Sequence, residues 1–443
     1  MTSPPPDTEP VTEAAGSSRP ARKFPPAPVI VLGLALALAA VLAVSLATRD
    51  RRSSTVLWTV LLGGSGSDAF TAAGAAPDGG VALAAQSDSP DGHFGPSRGG
   101  TDAWTVRLGP DGAVLWKTRI AGSLDDSVSW LAADSDGGWL ALGETASRDG
   151  DFAGRTGPPG RRDWAAKLDG SGRIAWLRIL DGLHGDVPPL SAAAGPEGDM
   201  FLAGPAGAEG DGARGCGGGP GVRVRRLTRE GSEQEAFCAP LAVFGGLMAI
   251  APATRGGLAV AYNDWSAETS LPAIRVAAFS AGGELAWNSL AGEAKAFRLT
   301  LWELPGGGWA GTGDGGVGSW AFGVGPDGSG PWLVPAPRNA SAMASAPAGG
   351  GIASVGQVTL GRLRGGWGMW DVQAAVASPG RGFFRSVVLG GSGEDRGIAA
   401  AGTADGGVVV AGRTESLDGD LASVPPAGQG PGSPSAWAVK LRP

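Results

Sequence analysis

Apolar residues fall in short runs along the chain, each separated from the next by a turn rich in Asp, Gly and Pro. PDGGVALAA (77–85) returns as SDGGWLALG (135–143), PEGDMFLAG (196–204), TRGGLAVAY (254–262), PGGGWAGTG (305–313), AGGGIASVG (348–356) and ADGGVVVAG (404–412). With Gly79, Gly137, Gly198, Gly256, Gly307, Gly350 and Gly406 as markers, the spacings are 58, 61, 58, 51, 43 and 56 residues. Repetition on this scale indicates a propeller, a solenoid or an array. Asp-Gly and Gly-Gly supply the positive backbone angles of tight hairpins, so each turn joins two strands.

The first unit predicts four strands: AFTAAGAA (69–76), VALAAQ (81–86), DAWTVRL (102–108) and AVLWKTRIA (113–121), and the second unit repeats the order. Trp104, Val106 and Leu108 alternate onto one face, as do Trp164, Ala166 and Leu168. The first strands are rich in Ala and Gly, while the last carry Trp116, Trp176 and Trp287. Side chains that grow from the first strand to the last suit blades converging on an axis, which predicts a propeller.

The chain ends sharpen this expectation. The seventh unit stops after SAWAVKLRP, one strand short, and TVLWTVLL (55–62), ahead of the first unit, matches the missing strand. The prediction is an all-β, seven-bladed β-propeller of four-stranded antiparallel blades over residues 55–443, closed by pairing 55–62 with 435–441. Closure removes the sheet edge that would otherwise template aggregation.

Ahead of the propeller the pattern changes twice. Residues 1–28 hold almost no large apolar side chains and are expected to be a disordered tail. Residues 29–47 carry no charge, and a helix of this length would reach about 28 Å, enough to cross a bilayer. The expected organisation is therefore a transmembrane signal anchor at 29–48 and a linker at 49–54. Three basic residues precede the run (Arg19, Arg22, Lys23) and three follow it (Arg49, Arg51, Arg52), so charge does not set its orientation. Cys216 and Cys238, the only cysteines, flank a predicted hairpin, and a disulfide between them would need an oxidising compartment. The sequence thus favours a single-pass protein of the inner (cytoplasmic) membrane, N-terminus in the cytoplasm and propeller outside it. A cleaved signal peptide is the rival reading.

Composition excludes more than it assigns. A net charge of -7 without basic blocks in the second half argues against a nucleic-acid partner. Two cysteines and two histidines leave no room for common zinc or haem motifs.

The repeats resemble the bacterial beta-propeller repeat proteins of the cell surface and periplasm, the SBBP group. The resemblance rests on Gly63-Gly64-Ser65-Gly66-Ser67-Asp68, Gly390-Gly391-Ser392-Gly393-Glu394-Asp395, Asp102-Ala103-Trp104, Asp163-Trp164-Ala165-Ala166-Lys167-Leu168 and Trp437-Ala438-Val439-Lys440-Leu441. It is clear in units one, two and seven and faint in units three to six. It implies a propeller used for binding or scaffolding, with no shared catalytic residue.

Three related loops, SDSPDGHFG (87–95), ASRDGDFAG (146–154) and ESLDGDLAS (415–423), hold the candidate chemistry. Asp149 with Asp151, and Asp418 with Asp420, could ligate calcium, although Asx-turn geometry accounts for the same spacing. No other cofactor is expected. DGSGRIAW (169–176) and PDGAVLW (110–116) match parts of the sialidase Asp box and of the tryptophan-docking motif of quinone-dependent dehydrogenases. Neither match is complete, and turn chemistry explains both. His93 and His184 lie in polar loops without a recognisable nucleophile, and no carboxylate pair stands out for glycoside hydrolysis. Asn339 opens a formal glycosylation acceptor, inert in a chain that reads as bacterial. Trp367 and Trp370 read as strand core.

The expected function is a monomeric, non-enzymatic binding or scaffold module for a protein or polysaccharide partner. Alternatives are a periplasmic quinoprotein-like assembly factor and a propeller glycan hydrolase or lyase. Exposed aromatic and aliphatic residues on the loop face would favour a protein partner, whereas Trp beside paired carboxylates in a channel would favour glycan chemistry.

Overall fold

The hairpin at Gly79 shows how the repeat folds. Gly79 adopts φ +84° and donates to the Ala76 carbonyl at 3.1 Å, while Ala76 donates to Gly80 at 3.0 Å. A side chain resists that angle, which is why the position is Gly. The Asp78 carboxylate accepts the Gly80 N–H at 2.9 Å and fixes the turn. Gly137, Gly198, Gly256, Gly307 and Gly406 repeat the positive φ, between 81° and 87°.

The computed structural model describes residues 56–442, apart from 155–159, 181–190, 207–220, 242–247, 255, 266–270, 306, 316–318, 337–339, 349–350, 359–369, 379–381 and 422–432. The strands form seven antiparallel sheets. Blade 1 holds Asp68–Ala75, Val81–Ser87, Asp102–Leu108 and Val114–Ile120; blade 2 holds Asp126–Ala133, Trp139–Thr145, Arg162–Leu168 and Ile174–Leu180. Blade 3 holds Ser191–Ala194, Met200–Ala206, Gly221–Leu227 and Glu233–Ala239; blade 4 holds Met248–Pro252, Leu258–Trp265, Pro272–Phe279 and Leu285–Gly292. In blade 5 the first strand is split into Arg298–Leu299 and Trp302–Glu303, both pairing with Trp309–Asp314, and Ser319–Val324 and Trp332–Pro335 follow. Blade 6 holds Ala340–Ala348, Gly351–Val358, Asp371–Ser378 and Gly382–Leu389.

Blade 7 is built from both ends of the propeller. Asp395–Gly402, Val408–Thr414 and Ser435–Leu441 are completed by Val56–Leu62 as the outermost strand. Leu61 stands opposite Trp437 and Leu62 opposite Ala436, the closure expected from the sequence.

First strands of neighbouring blades pack against one another and so lie innermost. In blades 1, 2, 6 and 7 this strand carries a bulge at the same place, the extra residue being Thr71, Ser129, Met343 and Ile398. A bulge bends the strand and sharpens its twist. The cores lie between blades: Phe70, Leu83 and Val106 of blade 1 meet Val409 and Ala411 of blade 7. Trp164 and Trp437 are fully buried in equivalent positions of their third strands.

Antiparallel order gives the propeller two unlike faces. The turns between first and second strands, and between third and fourth, lie on one, the turn face. The loops between second and third strands, and the crossovers between blades, lie on the other, the crossover face. No helix among the described residues is long and apolar enough to cross a membrane, and residues 29–47 lie outside them.

Candidate functional site

On the crossover face, the acidic loops singled out from the sequence clamp one blade to the next. In the crossover from blade 1 to blade 2, the Ser123 N–H donates to Asp149 at 2.7 Å and the Leu124 N–H to the Ser147 hydroxyl at 2.9 Å. Gly122 N–H and Ser147 Oγ both donate to Asp126 Oδ2, at 2.7 and 2.9 Å. The crossover into blade 7 repeats this: Ser392 N–H to Asp418 at 2.6 Å, Gly393 N–H to Ser416 at 2.9 Å, Gly391 N–H to Asp395 at 2.8 Å. The crossover into blade 1 does the same through Asp91, Ser89 and Asp68. Burial pushes the Asp68, Asp126 and Asp395 carboxyls above their ordinary value, against the pull of these donors.

Three of the four calcium candidates hold other groups through their carboxylates. Asp149 and Asp418 hold backbone amides, and Asp151 pairs with Arg98 at 2.8 Å and accepts the Ala121 N–H at 2.9 Å. The Asp420 N–H donates to the Gly390 carbonyl at 2.9 Å. Among the described residues, no group of three or more His, Cys, Asp or Glu side chains is arranged to hold a metal ion. His93 Nδ1 lies 3.1 Å from the Gly63 carbonyl, inside the same clamp. His184, Asn339 and Trp367 lie outside the described residues, and Trp370 accepts the Asp395 N–H through its carbonyl at 3.0 Å. Cys238 sits opposite Arg223 in the outer hairpin of blade 3, while Cys216 lies outside the described residues.

The turn face is held by cations, of which Arg107, Lys167 and Lys440 are buried and Arg226 half-buried. Arg107 pairs with Asp78 at 2.6 Å, Lys167 with Asp134 and Asp136 at 2.5 and 2.6 Å, Arg226 with Asp199 at 2.5 Å, and Lys440 with Asp405 at 2.9 Å. Each cation reaches from a third strand to the first hairpin of its own blade. The Thr403 hydroxyl and the Lys440 ammonium hold the Asp405 carboxyl at about 2. Asp136 also lies at about 2: burial opposes its charge, and Lys167 with the Gly138 N–H outweighs the burial. A cleft of about 250 Å³ opens between Pro77, Asp78, Arg107 and Trp139. Its cation is already engaged by Asp78 and the Val81 carbonyl.

Outer-strand tryptophans form a third set of links that the sequence reading missed. Trp58, Trp116, Trp176 and Trp287 donate their indole N–H to Pro110, Gly170, Arg229 and Pro326, each in the following blade, at 2.9, 3.1, 2.8 and 3.2 Å. Their rings cover Gly112, Gly172, Gly231 and Gly328 so closely that an added Cβ would lie within 2.9 Å of a ring atom. The signal was present as a glycine four residues before Trp116, Trp176 and Trp287. Turn chemistry also holds at Asp169, whose carboxylate accepts from Ser171 and Arg173.

The side chains that the clamps leave exposed are charged, polar and apolar alike. Exposed large hydrophobic residues form two groups. Leu124, Leu271, Phe297 and Leu417 lie on the crossover face, Leu271 and Phe297 being 51% and 53% exposed. Leu57, Val114, Leu115 and Leu285 lie where outer strands leave the turn face. The Lys295 ammonium stands 5.1 Å from the Phe297 ring centroid. Here the crossover abandons the serine–aspartate clamp: buried Asn263 takes its place, donating to the Ala296 carbonyl at 2.7 Å.

No family model and no curated protein matches the chain, so the likeness to the surface propellers rests on the motifs alone. Among solved structures, the chain is similar to a luciferin-regenerating enzyme (8% identity over 87% of this chain and 97% of the other, TM-score 0.37). It is also similar to an uncharacterized protein from Listeria monocytogenes EGD-e (9% identity, 76% and 86% covered, TM-score 0.40). A third similarity is to a candidate gluconolactonase (12% identity, 87% and 92% covered, TM-score 0.35). At these values the similarity assigns no activity to this chain, which stands as a seven-bladed propeller of four-stranded antiparallel blades.

Proposed function

We propose that the chain is a membrane-anchored, extracytoplasmic propeller that binds a protein partner on its crossover face without catalysing a reaction. The supporting observation is the set of exposed apolar side chains there: Leu124, Leu271, Phe297 and Leu417. Exposed apolar groups mark a partner surface where they gather, and Leu271 and Phe297 both stand at the crossover-face end of blade 4. Phe297, with the Lys295 ammonium beside its ring, adds an exposed aromatic side chain, a residue type enriched at interfaces. The carboxylates of the same face hold blades together, as at Asp149, Asp418 and Asp395, which favours binding over acid–base chemistry. A bond between Cys216 and Cys238 belongs to the same proposal, because it suits an oxidising compartment.

The test is purification of the full chain from membranes, with identification of what accompanies it. A defined protein should accompany the wild type and the Leu285→Asp variant but not Phe297→Asp or Leu271→Asp. A polysaccharide retained by all four chains would refute the protein reading.

A further inference from the structure

We propose that the rim of blades 7 and 1, at the turn-face end of their outer strands, rests on the lipid surface of the membrane. This rests on the anchored reading above. Leu57, Val114 and Leu115 are all exposed, Leu115 the most at 57%. The strands that carry them adjoin. The Trp58 indole donates to the Pro110 carbonyl at 2.9 Å and covers Gly112, in the turn from which Val114 and Leu115 emerge. The exposed residues therefore lie on the adjoining outer strands of blade 7 and blade 1.

Its position in the chain says what covers it. Val56, the first residue of the outer strand of blade 7, pairs with Leu441 at the turn-face end. Only residues 48–55 lie between it and the uncharged run 29–47. Eight residues, fully extended, span at most about 28 Å. A chain held in a bilayer by that run thus keeps this rim, rather than a more distant one, within reach of the lipid. Arg442 is exposed next to Leu441, and the sequence between residue 47 and Val56 includes Arg49, Arg51 and Arg52. Cations beside aliphatic side chains and tryptophans suit the boundary between anionic headgroups and acyl chains. Leu285 provides an internal comparison. It occupies the position of Val114 in blade 4, three blades from blade 7, and is 54% exposed.

The test places a benzophenone side chain at position 115 or at position 285 of the full chain. Each protein is reconstituted into vesicles of phosphatidylethanolamine and phosphatidylglycerol, irradiated, and analysed for lipid adducts by mass spectrometry. Unchanged melting temperatures verify that both proteins fold. The expected result is several-fold more lipid adduct from position 115 than from 285. Equal yields from a protein that stays with the vesicles after an alkaline wash would overturn the docking surface while leaving the anchor intact. Loss of the protein from the vesicles in that wash would overturn the anchor, and the docking surface with it. Adducts at position 115 to a second copy of the chain, in place of lipid, would assign the patch to self-association and overturn the proposal.

Discussion

The indole ring of Trp116 lies flat against Gly172, which belongs to the next blade and holds φ +84°. An added Cβ there would stand 2.6 Å from the ring, and an L side chain also resists the backbone angle. Gly172→Ala should therefore destabilise the propeller by about 3 kcal/mol through clash and strain together. Trp116→Ala should cost a comparable amount, and the double variant less than the sum, because without the ring the added methyl has nothing to clash with. Urea unfolding of the three variants measures this.

Closure of the ring makes the first strand as important to stability as any later one. Trp437→Ala empties a fully buried site and should cost about 3 to 5 kcal/mol. Leu61→Asp, opposite it, should lower the melting temperature severely. Leu57→Asp, four residues earlier on the exposed side of the same strand, should change stability by no more than about 0.5 kcal/mol.

Acid should loosen the turn face first. Asp405 and Asp136 titrate at about 2 in the folded chain against an ordinary 3.8. A depressed folded value stabilises fully above the ordinary value and is lost as pH falls from about 4 towards 2. Lys440→Met keeps the stem of the side chain and removes the ammonium. Its stability deficit against the wild type should be plain at pH 5 and shrink as pH falls towards 2. A deficit constant across that range would show that the ion pair contributes nothing.

The crossover clamps predict an opposite pH slope and a clear response to truncation. The raised Asp68, Asp126 and Asp395 carboxyls contribute stability that is complete below their ordinary value and declines as pH rises through their folded values. Asp395→Ala strands the Gly391 N–H and the Ser416 and Thr414 hydroxyls, and should cost about 2 kcal/mol. Because Asp149 and Asp418 hold amides, adding calcium or a chelator should leave the melting temperature of the wild type unchanged. A calcium-dependent rise would assign those loops to the metal.

The ring and its closure were legible because they depend on local rules: Asp-Gly turns demand hairpins, and alternation assigns faces. Trp104 and Trp164 announced their strands in this way. The contacts between blades were less legible, since a side chain such as Trp116 acts on a glycine 56 residues away and nothing local marks the partner. The acidic loops were visible as a pattern, but Asp149 reads alike as a metal ligand or an amide acceptor until Ser123 is placed beside it. The proposed binding face depended most on the fold. Phe297 has no motif around it, and its exposure shows only once the crossover from blade 4 to blade 5 is folded.

Joining Val56–Leu62 to Ser435–Leu441 also imposes an order on biosynthesis. The first strand of the ring has to wait for the third strand of blade 7, so the nascent chain carries an unmatched apolar ribbon until residues 435–441 have emerged. The seam of blade 7 is consequently the step most exposed to misassembly, and the interval before it seals is when a holdase would be needed.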